Sequence, residues 1–250
     1  MRIVAIGGGE IGRPGYPIET RAIDKEIMSL TGKKHPKVLL LPTASGDSEI
    51  YYPTFEKYYG KQLGCKTDVL YLIKEKPSTS EIESKIINSD IIYVGGGNTL
   101  RMLKVWRRSG VDKILEKANK KNIILAGVSA GAICWMKYGN SNFREFDKSE
   151  DNELGKLKGL NFVNLMVCPH YDVEKNRRPS LMNMIKKHGG IAIALENCSA
   201  LEIIDDKYRI ITSKKGANAY KLHKSKGKVI EEKLPLDKKF KPLKELRRRS

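Results

Sequence analysis

Long apolar runs are scarce in this 250-residue chain. The N-terminus, MRIVAIGGGEIG, holds only four consecutive apolar residues, Ile3 to Ile6, before glycines end the run. A signal peptide needs a longer apolar region. No stretch approaches the ~20 apolar residues of a membrane-spanning helix. A cytoplasmic protein with no membrane partner is expected. Cysteine is sparse too: Cys65, Cys134, Cys168 and Cys198 form no C-x-x-C pair. That spacing does not provide a zinc-ligand set, and buried free thiols in a reducing compartment are expected. Neither a metal nor a cofactor is expected.

Acidic residues are outnumbered, 29 Asp and Glu against 47 Lys and Arg, for a formal net charge of +18. Most of the cations are spread along the chain, as on solvated helix faces. The exception is LPLDKKFKPLKELRRRS, after Pro235. The tail 236–250 reads as a solubilising, partly disordered end. No recognised motif accompanies it, so nucleic acid is not the expected partner. The length suits one large domain with its own core, placed at 1–235. A homodimer is left open as the assembly.

What is present is a rhythm. RIVAIG (2–7), KVLLLP (37–42), TDVLYLI (67–73), DIIYVGGG (90–97), NIILAGV (122–128) and NLMVCPH (164–170) read as strands. Continuous Val/Ile/Leu runs suit strands buried on both faces of a parallel sheet. Helical patterns lie between them. Ile82, Ile86 and Ile87 follow Ser80, with Glu83 three residues on from that serine, spaced as a capping box. Leu100, Leu103 and Trp106 follow Asn98. The fold class expected is α/β: a doubly wound, mostly parallel sheet flanked by helices. IAIALENCSALEII and NAYKLHKSKGKVIEE read as C-terminal antiparallel hairpins, with Asn197 and Gly227 near the turns, extending one edge of the sheet. Residues 138–160 read as a long polar excursion that could cover a site.

GGGEIG (7–12) fits a dinucleotide fingerprint after a strand. Pro14, Gly15 and Pro17 prevent a helix from opening there, and strand two ends in Pro42-Thr43 rather than an acid. A tight turn at a strand's carboxyl end is the better reading.

The chemistry centres on ILAGVSAGAICW (124–135), where seven of twelve residues are Gly, Ala, Ser or Cys. Gly127-Val128-Ser129-Ala130-Gly131 matches the G-x-S-x-G nucleophile elbow, after a strand and before a helix. A sharp strand-to-helix turn at Ser129 strains the backbone and needs small neighbours two residues away on either side. It projects Oγ above the sheet and aims the Ala130 N–H at the same space. Gly96 or Gly97, at the end of a neighbouring strand, is the candidate second oxyanion donor. Of the four histidines, His35 lies in a loop, His188 at a helix end and His223 in a lysine-rich hairpin. His170, in MVCPHYD, ends a strand on the same rim as Ser129 and is the candidate base.

Together AIGGGEI, YVGGGNTLRML, GVSAGAICW, PHYD and ALENCSALEI resemble the peptidase E (aspartyl dipeptidase) family, from the first strand to about residue 205. The resemblance implies a fold related to class I glutamine amidotransferases, with Ser129 where those enzymes hold a cysteine. It implies a serine peptidase cleaving short peptides through Ser129, His170 and Glu196. Cyanophycinase is a similar relative. The family's preference for aspartate calls for a cation, for which Arg177 and Arg178 are candidates, with Asn98 also placed in substrate binding. Glu196, at the end of IAIAL, would share a rim with His170; Asp172 is the alternative acid. A non-catalytic ligand- or polyanion-binding protein on the same fold is the rival reading.

Overall fold

The computed structural model describes residues 1–141 and 155–248. The chain runs β1 (Arg2–Ile6), α1 (Arg21–Ser29), β2 (Lys37–Leu41), α2 (Tyr51–Phe55), β3 (Lys66–Val69), α3 (Thr79–Ile87), β4 (Ile91–Val94), α4 (Thr99–Ser109), α5 (Val111–Lys120), β5 (Ile124–Val128) and α6 (Ala130–Ile133). It continues through β6 (Met136–Ser141), β7 (Gly155–Lys158), β8 (Val163–Cys168), α7 (Arg177–His188), β9 (Ile191–Leu195), β10 (Ser199–Ile204), β11 (Lys207–Thr212), β12 (Ala219–Ser225), β13 (Lys228–Lys233), β14 (Lys241–Pro242) and α8 (Leu243–Leu246).

The α/β class expected from the sequence is present, but the strands form two sheets rather than one. The first has the order β14-β11-β10-β1-β5-β4-β2-β3, and the second β13-β12-β9-β8-β6-β7. In the first, β1, β5, β4, β2 and β3 run parallel, and β10, β11 and β14 add antiparallel neighbours beyond β1. The sixth predicted strand is β8, and it lies in the second sheet. Only residues 129–135 separate β5 from β6. A parallel crossover within one sheet needs a dozen or more residues, so the chain moves on to a second sheet. The short α6 sits at the junction, against β1, β4 and β5 on one side and β6 and β8 on the other.

The segment 191–204 is not a hairpin. β9 pairs with β8 and β12, whereas β10 pairs with β1 and β11. Residues 196–198 therefore step from one sheet to the other. The second hairpin is as expected: β12 and β13 turn at Lys226 (φ 46°) and Gly227 (φ 80°), two left-handed residues that match strand twist. The capping box of α3 falls two residues before its expected place. Glu81 N–H donates to Ser78 Oγ at 3.3 Å and Ser78 N–H to Glu81 Oε2 at 2.7 Å. Two S-x-x-E spacings overlap here, and the earlier one gives the longer helix. The ends of the 138–160 excursion pair as β6 and β7; residues 142–154 lie outside the described residues. The basic tail does not stand free: β14 joins β11, and α8 buries Leu243 and Leu246. Their i, i+3 spacing gives an otherwise cationic segment one apolar stripe.

Helix α1 packs through Ile23, Ile27 and the fully buried Asp24. Thr20 Oγ1, Tyr58 Oη and Tyr59 Oη donate to the Asp24 carboxylate at 2.7, 2.9 and 2.6 Å. Burial outweighs these bonds and raises its pKa from 3.8 to about 6. Between about pH 4 and 6 the folded state therefore holds a proton that the unfolded chain releases. Stability from this group is complete below pH 4 and is lost as pH rises through 6. The loss corresponds to about 3 kcal/mol at about 1.4 kcal/mol per pH unit. Asp24→Asn should flatten that part of the stability-versus-pH curve. Urea denaturation midpoints between pH 4 and 7 check it, and an unchanged slope would refute it.

Candidate active site

Ser129 sits where β5 turns into α6, with φ 56° and ψ −107°. This is a left-handed, strained conformation for a residue with a side chain. Glycine makes the turn achievable. A Cβ on Gly127 would lie 2.8 Å from Gly131, and one on Gly131 would strike the Val94 carbonyl oxygen. The two glycines of the motif thus pack on each other and on β4. The peptide N–H of Ser129 donates to the Ile6 carbonyl at 3.0 Å, which ties the elbow to β1.

Two more segments are tied to the following two carbonyls. His170 N–H donates to Gly7 O at 3.1 Å, and Cys198 N–H to Gly8 O at 2.9 Å. His170 (φ 54°) and Cys198 (φ 62°) are also left-handed. The tie brings Asn197 against His170, with Asn197 Oδ1 2.8 Å from His170 Nδ1. The side-chain oxygen of Asn197 can only accept, so Nδ1 carries the proton. That leaves Nε2 as the basic nitrogen. Asp172 Oδ1 accepts the Asn197 N–H at 2.9 Å and so holds the asparagine rather than the histidine. Gly8 leaves the space: a Cβ there would collide with Asn197 Oδ1 and lie 2.6 Å from His170 Nδ1.

Glu196 is placed differently from expectation. Its carboxylate accepts Asn218 N–H at 2.7 Å, Asn218 Nδ2 at 3.1 Å and Tyr220 Oη at 2.9 Å. It faces β12, while Asn197, in the turn closed by Ser199 N–H on the Glu196 carbonyl, faces His170. The direct Glu196–His170 contact is absent here, and Asn197 occupies its place.

Ser129, His170, Asn197, Gly96 and Gly97 line one cavity of about 610 Å³. No hydrogen bond joins Ser129 Oγ to His170 among the described residues. In unliganded sites this bond is often long and tightens with substrate. Gly96 lies over the serine: a Cβ on it would sit 3.5 Å from Ser129 Cβ. Gly97 (φ 136°) instead presses on the Ala44 backbone, which no Cβ would allow. The remaining walls come from 9–19 and 45–54, including Glu10, Arg13, Tyr16 and Tyr51. Burial lowers the pKa of His170, the bond to Asn197 opposing the shift. Its neutral, basic form is therefore favoured.

The candidates for substrate recognition are not in this cavity. Arg177 is buried, its Nε on Glu174 at 2.6 Å and its Nη1 on the Asn140 carbonyl at 2.6 Å. Arg178 pairs with Glu231 at 3.1 Å beside a separate cavity. Asn98 caps α4, its Oδ1 accepting the Arg101 N–H at 2.8 Å. Arg177 and Asn98 are committed to holding the fold, and Arg178 is an exposed ion-pair partner.

Residues 3–211 match the model of Peptidase family S51. The chain belongs to that family. It is a serine-type peptidase of the peptidase E group. It is 36% identical over 240 residues to the Bacillus subtilis (strain 168) protein named uncharacterized peptidase YgaJ, covering 94% of this chain and 97% of the relative. It is 31% identical over 137 residues to the Listeria monocytogenes protein named uncharacterized peptidase Lmo0363, covering 54% and 65% of the two chains. A solved peptidase from an acI-B1 Actinobacterium shares the fold, with a TM-score of 0.70, 19% identity and 96% coverage of both chains.

Within this S51 chain the sequence reading overlooked Asn197, Gly8 and Tyr51. From sequence Asn197 reads as a turn residue. The glycines after β1 read from sequence as a tight turn at a strand's carboxyl end, and their excess over what a turn needs is the signal that points to Gly8. If Asn197 is what orients His170, Asn197→Ala should slow labelling of Ser129 by a fluorophosphonate by ~10²-fold or more, since a 1 Å displacement of a catalytic group costs about that much. Glu196→Gln, whose carboxylate is bound to Asn218 and Tyr220 rather than to the imidazole, should cost less than 10-fold by the same scale. The reverse ranking would return Glu196 to the place the family resemblance gives it.

Proposed function

We propose that this chain hydrolyses short peptides through an acyl-enzyme formed on Ser129. His170 Nε2 takes the Ser129 proton as Oγ attacks the scissile carbonyl, and then passes it to the leaving amine. Asn197 keeps the Nδ1–H tautomer in place, as an asparagine does in Cys-His-Asn peptidases. Water repeats the cycle on the ester and frees the serine. Ala130 N–H, the first amide of α6, and the Gly96 region receive the oxyanion. The observation that carries this reading is the attachment of a strained serine, a histidine and Cys198, the residue after the asparagine that meets His170, to the successive carbonyls of Ile6, Gly7 and Gly8.

The lining favours short peptides without marked preference for aspartate. Among the described lining residues Arg13 is the cation, already paired with Glu10 at 2.9 Å, and Glu19 adds a second acid. An acidic side chain would thus meet one neutralised arginine. The four thiols are buried and free, which fits a reducing, cytoplasmic setting.

A fluorophosphonate should label the wild-type protein once, at Ser129, and Ser129→Ala should stay unlabelled with an unchanged melting temperature. Labelling that survives Ser129→Ala would overturn the reading. A second expectation concerns pH. His170 is depressed by burial, so the reactive neutral form persists into mildly acidic solution. The acid limb of the labelling rate should fall below the ordinary histidine value of ~6.5. A limb above it would mean that the imidazolium is stabilised in the site and that burial does not govern this base.

A further inference from the structure

Tyr51 opens α2 and lines the same cavity as Ser129. The hydroxyl end of its ring abuts the glycine run that follows β4: a Cβ on Gly95 would fall 2.7 Å from Tyr51 Cζ. Its hydroxyl oxygen accepts the Gly96 N–H at 3.3 Å. Gly96 is the residue stacked over Ser129. So the amide expected to meet the oxyanion already has an acceptor, and that acceptor is a hydroxyl in the cavity wall. A phenol that accepts one hydrogen bond still has its own proton to donate. Among the described residues nothing accepts that proton.

We infer that Tyr51 O–H is a catalytic oxyanion donor, polarised from behind by Gly96 N–H and acting together with Ala130 N–H on the tetrahedral intermediate. The inference rests on the acyl-enzyme reading of the site. When Ser129 Oγ bonds to the carbonyl carbon, the C=O pair moves onto oxygen, and Tyr51 O–H shortens onto that charge without giving up its proton. Burial raises the Tyr51 pKa to about 12, so the hydroxyl stays protonated at neutral pH. A phenol fixed by a bond behind it and a glycine bed beneath it needs little rearrangement as charge develops, and charge-assisted donors are the strong ones. The arrangement also accounts for Gly95, where any side chain would displace the ring.

Tyr51→Phe keeps the ring and removes the donor. The fluorophosphonate labelling rate should fall by ~10² to 10³-fold, the usual effect of one lost oxyanion donor, with the melting temperature unchanged. Affinity for a peptidyl boronate, which carries the tetrahedral charge, should fall with it. Affinity for the same peptide as a plain amide should not. A purely structural tyrosine would weaken both or neither. As a measurement that does not depend on the variant's folding, 3-fluorotyrosine placed at position 51 of the active protein should shift its ¹⁹F resonance when the boronate binds. Wild-type labelling in Tyr51→Phe, or an unmoved resonance, overturns the assignment to Tyr51 while leaving the acyl-enzyme reading intact. Wild-type protein that never labels brings down both.

Discussion

The carbonyls of Ile6, Gly7 and Gly8 accept hydrogen bonds from three segments far apart in sequence. Ser129 N–H takes the first, His170 N–H the second and Cys198 N–H the third. Residues along an extended backbone alternate in direction, so three neighbouring carbonyls fan the segments around one point. Each segment arrives in a left-handed conformation at Ser129, His170 or Cys198. Strain of this kind costs of order 1–3 kcal/mol per residue and persists only where surrounding structure enforces it. The end of β1, held between β5 and β10 in the first sheet, is rigid enough to do so.

The site is consequently made mostly of backbone and small residues. Gly8 admits the His170–Asn197 pair, Gly127 and Gly131 admit the elbow, and Gly95 admits Tyr51. Each glycine removes a side chain so that a functional group elsewhere can approach. The electrostatics follow from the same closeness. His170 is largely enclosed and its charged form is disfavoured, while the oxygen of Asn197 fixes its tautomer without adding a charge. An asparagine in this place, backed by Asp172 through its main-chain N–H, keeps the carboxylate one step away from the imidazole. The base is thereby kept neutral and oriented.

The second sheet serves the first. With only residues 129–135 between β5 and β6, α6 cannot return the chain to the parent sheet, and β6, β8 and β9 assemble beside it. β8 then delivers His170, and the step from β9 to β10 delivers Asn197 between the two sheets. Arg177, expected to meet substrate, instead anchors this second layer by binding the Asn140 carbonyl. The apolar pair Leu243 and Leu246 closes the far edge, which is why a segment rich in lysine and arginine packs rather than trails.

Much of this was legible in the residues. The apolar runs mark β1, β2, β4, β5 and β8 because burial on both faces demands them, and the small residues around Ser129 mark the elbow because no larger ones fit. His170 stands out by its place at a strand end. Other features depend on distances that sequence does not carry. Whether Glu196 or Asn197 faces His170 turns on the direction of one side chain in a step between sheets, and both residues are polar and adjacent. That β8 and β9 form a separate sheet follows from the reach of a short connection. That Tyr51 stands behind Gly96 follows from the packing of α2 on β4, two elements 36 or more residues apart. Local pattern marks Ser129 and His170 as the proposed nucleophile and base. Tertiary packing alone decided that Asn197 meets His170 Nδ1 and that Tyr51 Oη meets Gly96 N–H, because those contacts join elements distant along the chain.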